Sequence, residues 1–303
     1  MSSNNYLWGI DLGGTKIECA VLPKENPLQP VTRHRINTES EKGYRHVLGQ
    51  IKSLVEIVAT QIGEFPSAIG FGTPGALEPS TQAMKNCNTT CLNGMPLKKD
   101  LEELLEIHIK IANDANCFAL AETLLGVVPK LKPGAEIVFG VIMGTGVGGG
   151  IVVNGKVVNG KQGIAGEWGH NFLDASGGKC YCGKTGCVET IISGPALQRY
   201  YHSLTATSLS LKEITTKHQQ GSDPAATQTI ERILTMFGKA LAVVINILDP
   251  DVIVLGGGVG KIDLLYTQGA GEIKKHIFNP RPEVLVVAPT LGDSAGVFGA
   301  ALL

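Results

Sequence analysis

The strongest constraint on this chain is a pattern that it uses twice. Residues 6 to 22, YLWGIDLGGTKIECAVL, read as a strand, a glycine turn at Gly13 and Gly14, and a second strand. EIVFGVIMGTGVGGGIVVNGKVV, residues 136 to 158, is again strand, glycine turn and strand, so the chain reads as two related halves, each opened by a hairpin with a glycine tip. Helical and strand periods then alternate. GYRHVLGQIKSLVEIVATQIGEF sets Val47, Leu48, Ile51, Leu54, Val55, Val58 and Ile62 at helical spacing and is followed by the short strand SAIGFG. SDPAATQTIERILTMFGKALAVVINILDP predicts a long helix, capped by Ser222 or Asp223, with Pro224 in its first turn. Its apolar face is Ile233, Leu234, Phe237, Leu241, Val244 and Leu248; it stops at Asp249-Pro250, and the buried strand DVIVLGGG follows. The expectation is an α/β chain of two domains with no low-complexity linker between them.

Length and charge bound what such a chain can do. With 303 residues, 43% of them hydrophobic, it has enough apolar surface for two cores. A formal net charge of -1 leaves no basic surplus for neutralising phosphates along a duplex, which argues against nucleic-acid binding. The opening MSSNNYLWGIDLGG is polar and turns straight into a strand, with no leader pattern, and no later apolar run reaches membrane-spanning length. A cytoplasmic protein is expected.

Glycine placement is the best guide to a ligand. Residues 144 to 149, GTGVGG, satisfy G-x-G-x-x-G, but the β-branched IVVNGKVV follows where a dinucleotide-binding fingerprint would open a helix. Glycine hairpin tips can instead wrap an anion with successive backbone N–H groups. Two such tips facing each other across a cleft would grip the phosphates of a nucleotide: Gly13, Gly14, Thr15 and Lys16 on one, Gly144, Thr145, Gly146 and Gly148 on the other. Asp11, beside the first, suits a hydrated magnesium ion. Taken singly, either tip also reads as a tight turn that merely needs positive φ. The third cluster, LGGGVG at 255 to 260, ends a buried strand, and Gly256, Gly257 and Gly258 would let the chain lie close to an adenosine.

Three of seven cysteines crowd into KCYCGKTGCVE, residues 179 to 189. An odd count in a reducing compartment disfavours a disulfide framework, and CYC is not the C-x-x-C of a redox pair. Cys180, Cys182 and Cys187 flank a Gly-rich turn, which lets three thiolates converge, and the nearest fourth ligand is His170 in GEWGH. Tetrahedral zinc wants four such ligands, and a site filled by protein would be structural. Three thiols without a metal are the plainer alternative. Cys19, Cys87, Cys91 and Cys117 need no function, since a buried free cysteine behaves as a small apolar residue.

GIDLGGTK, GTPG, ANDAN, MGTGVGGG, AGEWGH, CYCGKTGCVETIISG and DPDVIVLGGG together resemble the ROK family of sugar kinases and repressors, over a span from residue 10 nearly to the C-terminus. The resemblance implies an actin-like ATPase (ribonuclease H-like) fold, two α/β domains around a central cleft that closes on ATP, magnesium and a hexose. Residues 1–115 plus 289–303 would form the N-terminal domain, the small-residue tail GDSAGVFGAALL returning to it as a helix, and 116–288 the C-terminal domain with the zinc loop and nucleotide site. The likeness is nearest to bacterial fructokinases that also accept mannose, which implies phosphorylation of fructose at its 6-hydroxyl by a homodimer.

Carried over residue by residue, Asp114 matches the catalytic base that takes the sugar hydroxyl's proton as it attacks the γ-phosphate. Asn113 matches a sugar-binding amide, Glu167, His170 and Glu189 match residues that hold sugar hydroxyls, and Gly75 lies in a loop near the sugar. A helix cap is the simpler role for Asn113 or Asp114. Zinc would clamp the loop from His170 to Cys187 so that Glu167, His170 and Glu189 keep one geometry. Cys180 follows His170 by ten positions, shorter than in some fructokinase-like members, which leaves glucose, mannose and N-acetylglucosamine open as substrates. Repressors of the family carry a helix-turn-helix ahead of the first glycine hairpin, and Asp11 comes too early for one here. A nicotinamide enzyme is the third class, opposed by the strand after Gly149.

Overall fold

The computed structural model describes residues 5–303; the start of the polar opening read for a leader, and the first four residues of the expected N-terminal domain, lie outside them. β1 (Tyr6–Leu12) and β2 (Lys16–Pro23) form the expected antiparallel hairpin, with Ile10 opposite Cys19 and Leu12 opposite Ile17, and β3 (Thr32–Asn37) pairs with β2. α1 (Tyr44–Ile62) buries Val47, Ile51, Leu54, Val55 and Val58 and ends where Gly63 enters the left-handed region and returns its N–H to the Ala59 carbonyl. β4 (Ala68–Thr73) follows. Next come the small hairpin of β5 (Ala76–Leu77) and β6 (Met84–Lys85), then α2 (Leu97–Leu105), β7 (His108–Asn113), α3 (Asp114–Leu124) and α4 (Val128–Leu131). β1, β4 and β7 run parallel, giving a first sheet of order β3-β2-β1-β4-β7.

The second glycine hairpin starts the same plan again. β8 (Ile137–Met143), β9 (Val147–Val153) and β10 (Lys156–Val157) lead into α5 (Glu189–Ile192), α6 (Gly194–Thr205), α7 (Leu211–Gln219) and α8 (Pro224–Leu248). β11 (Val252–Gly256), α9 (Ala270–Lys274), β12 (Val286–Val287) and α10 (Ala295–Ala301) complete the chain. The second sheet has order β10-β9-β8-β11-β12, with β11 parallel to β8 and to β12, the counterpart of the first sheet's order. Asp223 is the cap of α8, its carboxylate accepting from the Ala225 and Ala226 N–H groups, while the Ser222 hydroxyl donates to the Lys217 carbonyl instead. On α8 the buried face ends with Ile245; Val244 and Leu248, expected inside, are only half-buried because the stripe steps from Leu241 to Ile245.

The chain divides into two compact units. One runs up to Pro129 and takes in Gly150–Ala165 and Thr290–Leu303; the other holds Lys130–Gly149 and Gly166–Pro289. The join expected between residues 115 and 116 falls inside α3, whose buried residues run from Ala115 to Thr123, and the chain leaves the first unit later, within α4. In the first unit α10 lies directly on the sheet and on α3. A Cβ on Gly70 would meet the Ala300 carbonyl oxygen at 1.8 Å, and one on Gly299 would meet that of Cys117 at 1.8 Å, so these backbones touch only because both side chains are missing. In the second unit β11 is buried throughout, and Phe139 packs edge-on against Trp168 with ring centroids 5.8 Å apart. No helix among the described residues is long and apolar enough to cross a membrane.

Candidate active site

In the first unit, sheet register gathers the chemistry at the carboxyl ends of three parallel strands. Asp11 of β1 pairs with Gly72 of β4, Gly72 with Ala112 of β7, and Thr73 with Asn113. Asn113 is the N-cap of α3: its side-chain oxygen accepts from the Ala115 N–H at 2.9 Å, and Asp114 Oδ1 accepts from the same group at 2.7 Å. The capping role anticipated for this pair is therefore real, and it uses the Asn113 side-chain oxygen rather than its NH2. Asp114 is exposed, and Asp11 is half-buried. Burial first, then the Asp114 charge and then Glu18 push the Asp11 carboxyl up to about 6, with Arg35 pulling the other way. Glu18 is buried and ion-paired with Arg33 and Arg35 across β2 and β3.

The Gly13–Thr15 turn is fastened by its carbonyl side. Thr38 Oγ1 donates to the Gly13 carbonyl at 2.7 Å, Ser40 Oγ to that of Gly14 at 3.1 Å, and the Thr38 N–H to that of Thr15 at 2.9 Å. Thr38 and Ser40 escaped the sequence reading; two hydroxyls just after β3, at the end away from its turn, are the only signal they leave. Gly75 is buried against the next segment, where a Cβ would stand 2.4 Å from the Lys85 carbonyl oxygen.

In the second unit three glycine-bearing segments meet at the tip of β8. The Gly194 N–H at the start of α6 donates to the Gly144 carbonyl at 2.9 Å, and Gly257, with φ 82°, backs onto Met143, whose carbonyl oxygen would lie 2.2 Å from an added Cβ. Glu189, anticipated on a sugar hydroxyl, has Oε2 on the Val147 N–H at 2.9 Å, and a Cβ on Gly146 would reach that oxygen at 2.6 Å. One oxygen of Glu189 thus holds the Gly144–Gly146 turn. Glu167 precedes Trp168, whose indole N–H donates to the Gly148 carbonyl at 3.0 Å and ties this loop to β9.

His170, Cys180, Cys182 and Cys187 converge, their ligand atoms all within 4.8 Å of one another. Cys182 Sγ lies 3.6 Å from Cys187 Sγ, and Cys180 Sγ lies 3.6 Å from His170 Nδ1. Ligands about 2.0–2.3 Å from a tetrahedral zinc stand roughly 3.3–3.8 Å apart, so the quartet fits that ion. His170 Nε2 is 3.0 Å from the Tyr181 hydroxyl, which fixes the ring through its other nitrogen.

Two α/β units of matching strand order, each with a glycine-tipped hairpin, define the class to which comparison with known proteins then gives a family. Residues 7–303 match the ROK family, and the chain belongs to it. N-acetyl-D-glucosamine kinase of Pectobacterium atrosepticum is 33% identical over 306 residues, covering 98% of each chain. Among solved structures, the ROK hexokinase of Thermus thermophilus is 31% identical with a TM-score of 0.85, covering 98% of this chain and 97% of that one. A ROK family glucokinase from Streptomyces griseus, solved with glucose and AMPPNP, is 27% identical with a TM-score of 0.77, covering 98% of each. The fold is the actin-like ATPase fold.

Proposed function

We propose that the chain uses ATP to phosphorylate the 6-hydroxyl of a free hexose, with N-acetyl-D-glucosamine as the preferred acceptor. That it is a sugar kinase rests on its family and on its full-length relatives. The finer reading of the sugar departs from the fructose expected of the short motifs, because several curated relatives matched along 98% of the chain are N-acetyl-D-glucosamine kinases. The observation that carries the chemistry is the register that brings Asp11, Thr73 and Asn113 to neighbouring strand ends, with Asp114 opening α3 at the same edge.

Asp114 is the base. A loose phosphoryl-transfer transition state asks for an aligned hydroxyl and a late proton acceptor, which an exposed carboxylate on a fixed helix start supplies. The Asn113 NH2 orients the sugar, its oxygen being held by the Ala115 N–H. The Gly13–Lys16 and Gly144–Gly148 turns offer backbone N–H groups to phosphate oxygens, and Gly256–Gly258 lets the chain run close to the adenosine. Magnesium, when bound with the nucleotide, supplies neutralising charge on the phosphates, and the half-buried Asp11 with its raised pKa is the carboxylate that gains most from a cation nearby. Glu167, His170 and Glu189 are proposed to read sugar hydroxyls, with His170 and Glu189 also holding zinc and the glycine turn. Zinc, on His170, Cys180, Cys182 and Cys187, has a structural role.

ADP release measured over N-acetylglucosamine, glucose, mannose and fructose tests both levels. Asp114→Asn should keep sugar binding and lose about 10²–10⁴-fold in kcat. A variant that turns over like the parent removes Asp114 from the mechanism, and a panel led by fructose overturns the choice of sugar.

A further inference from the structure

Glu122 lies in the last turn of α3 and is 0% exposed. Its carboxylate is met by three main-chain N–H groups: Val127 donates to Oε2 at 2.9 Å, Leu291 to Oε1 at 2.9 Å, and Thr290 to both oxygens at 3.1 Å. A buried carboxylate is costly unless its acceptor sites are filled, and here main-chain N–H groups fill both oxygens. What it holds is specific. The chain crosses between the two units four times; the first crossing follows Pro129 and the last precedes Thr290. Val127 is two positions before Pro129, the last residue ahead of the first crossing, and Thr290 and Leu291 are the first two residues after the last. One side chain therefore fastens the first and the last of these crossings, about 160 residues apart in sequence, to α3.

α3 is also the helix that Asp114 opens. It is backed by α10, into which the segment from Leu291 leads, with Gly299 against the Cys117 carbonyl. We propose that Glu122 is a positioning residue: it pins the first and the last chain crossing to the helix that carries Asp114, so that movement at these two crossings is referred to the base. This rests on the kinase reading for its catalytic consequence and on hydrogen bonding alone for the pin. The site also explains Gly126, where a Cβ would meet Glu122 Oε2 at 2.0 Å.

Two substitutions attack the pin from opposite sides. Glu122→Gln keeps the shape and turns one acceptor into an NH2 that faces donors; Gly126→Ala keeps the charge and displaces it. Hydrogen exchange resolved at the Val127, Thr290 and Leu291 amides is the direct readout. In the wild type these three should exchange as slowly as the interior of α1, and in either variant at least tenfold faster while α1 is unchanged. Sugar kinetics are read beside it: kcat should fall about tenfold and the sugar KM rise severalfold, as for a hinge position. A merely structural weakening lowers the active fraction and leaves KM where it was. Wild-type amides that exchange at loop rates, or variants that leave them slow, overturn the pin. Faster exchange with an unmoved KM overturns the positioning role. A wild type that phosphorylates no hexose removes the proposed function, and with it the role referred to Asp114, while the exchange rates still decide whether the crossings are pinned.

Discussion

The strand-end cluster of the first unit and the cysteine loop of the second are held in opposite ways. Asp11, Asn113 and Asp114 occupy their positions because β1, β4 and β7 are in register and because α3 starts where β7 ends. Nothing beyond the fold is needed to place them. Between His170 and Cys187 the chain makes two isolated bridges, Phe172 with Cys187 and Lys179 with Thr185, and several tight turns, while Phe172 is 70% and Tyr181 74% exposed. Little apolar surface is buried there to offset the entropy of ordering so many glycines. The first region owes its geometry to the core; under the proposed zinc site, the second would owe its own to four converging ligands.

Metal removal tests this contrast hardest. Stripping zinc with a chelator should release the amides of residues 171–187 to fast exchange and raise the sugar KM tenfold or more, leaving the amides of β1, β4 and β7 protected. A verified zinc-free preparation with its original KM and a protected loop would show that the loop coheres by itself and would end the comparison. Gly299→Ala probes the other side. Its Cβ would strike the Cys117 carbonyl, and overpacking of this kind costs about 1–3 kcal/mol. The first unit's denaturant midpoint should fall accordingly; a neutral substitution would mean that α10 is less firmly seated than the close approach implies.

The sequence carried the architecture through its repeat. Helical spacing marked the buried face of α1, and glycine followed by a β-branched run distinguished a hairpin from a helix at 144–149. The quartet around Cys180 was legible because its members are near in sequence, so spacing stands in for distance. Contacts between remote segments left no such trace. Glu122 reads as one more glutamate in a helix until the fold brings Thr290 to it, and Thr38 and Ser40 acquire meaning only once β3 lies beside the Gly13–Thr15 turn. Glu189 was matched to sugar by motif, yet its Oε2 sits on the Val147 N–H, a partner that sequence order could not suggest. Which unit α3 joins is a matter of the same kind: a helix belongs to the unit that buries it, and only packing reveals which.

The smallest expected effect asks whether the second unit's sheet shares the loop's proposed dependence on metal. Asp251, just ahead of β11, accepts from the N–H groups of Glu136 and Ile137 at 2.9 and 3.0 Å and donates its own N–H to the Ile137 carbonyl at 2.8 Å, clamping the starts of β8 and β11 together. The Ile137 N–H holds the Asp251 carboxyl below its ordinary range; burial, the next largest effect, opposes it, and the Glu136 N–H and the Lys132 charge add to the lowering. A lowered folded pKa means that the unfolded chain takes up the proton first as pH falls. The clamp's contribution is therefore complete above about pH 5 and is lost as acidity approaches and passes the folded pKa. Asp251→Asn should cost roughly 1 kcal/mol at pH 7, modest because water reaches the carboxylate, and the gap to wild type should start to shrink below about pH 5 and close only once pH has fallen past the folded pKa. A gap that ignores pH would assign the loss to packing rather than charge. Repeating the measurement on zinc-stripped protein sharpens the contrast: if sheet and loop are separately held, the same gap persists, whereas its disappearance would mean that the sheet melts with the loop and that the second unit has a single source of cohesion.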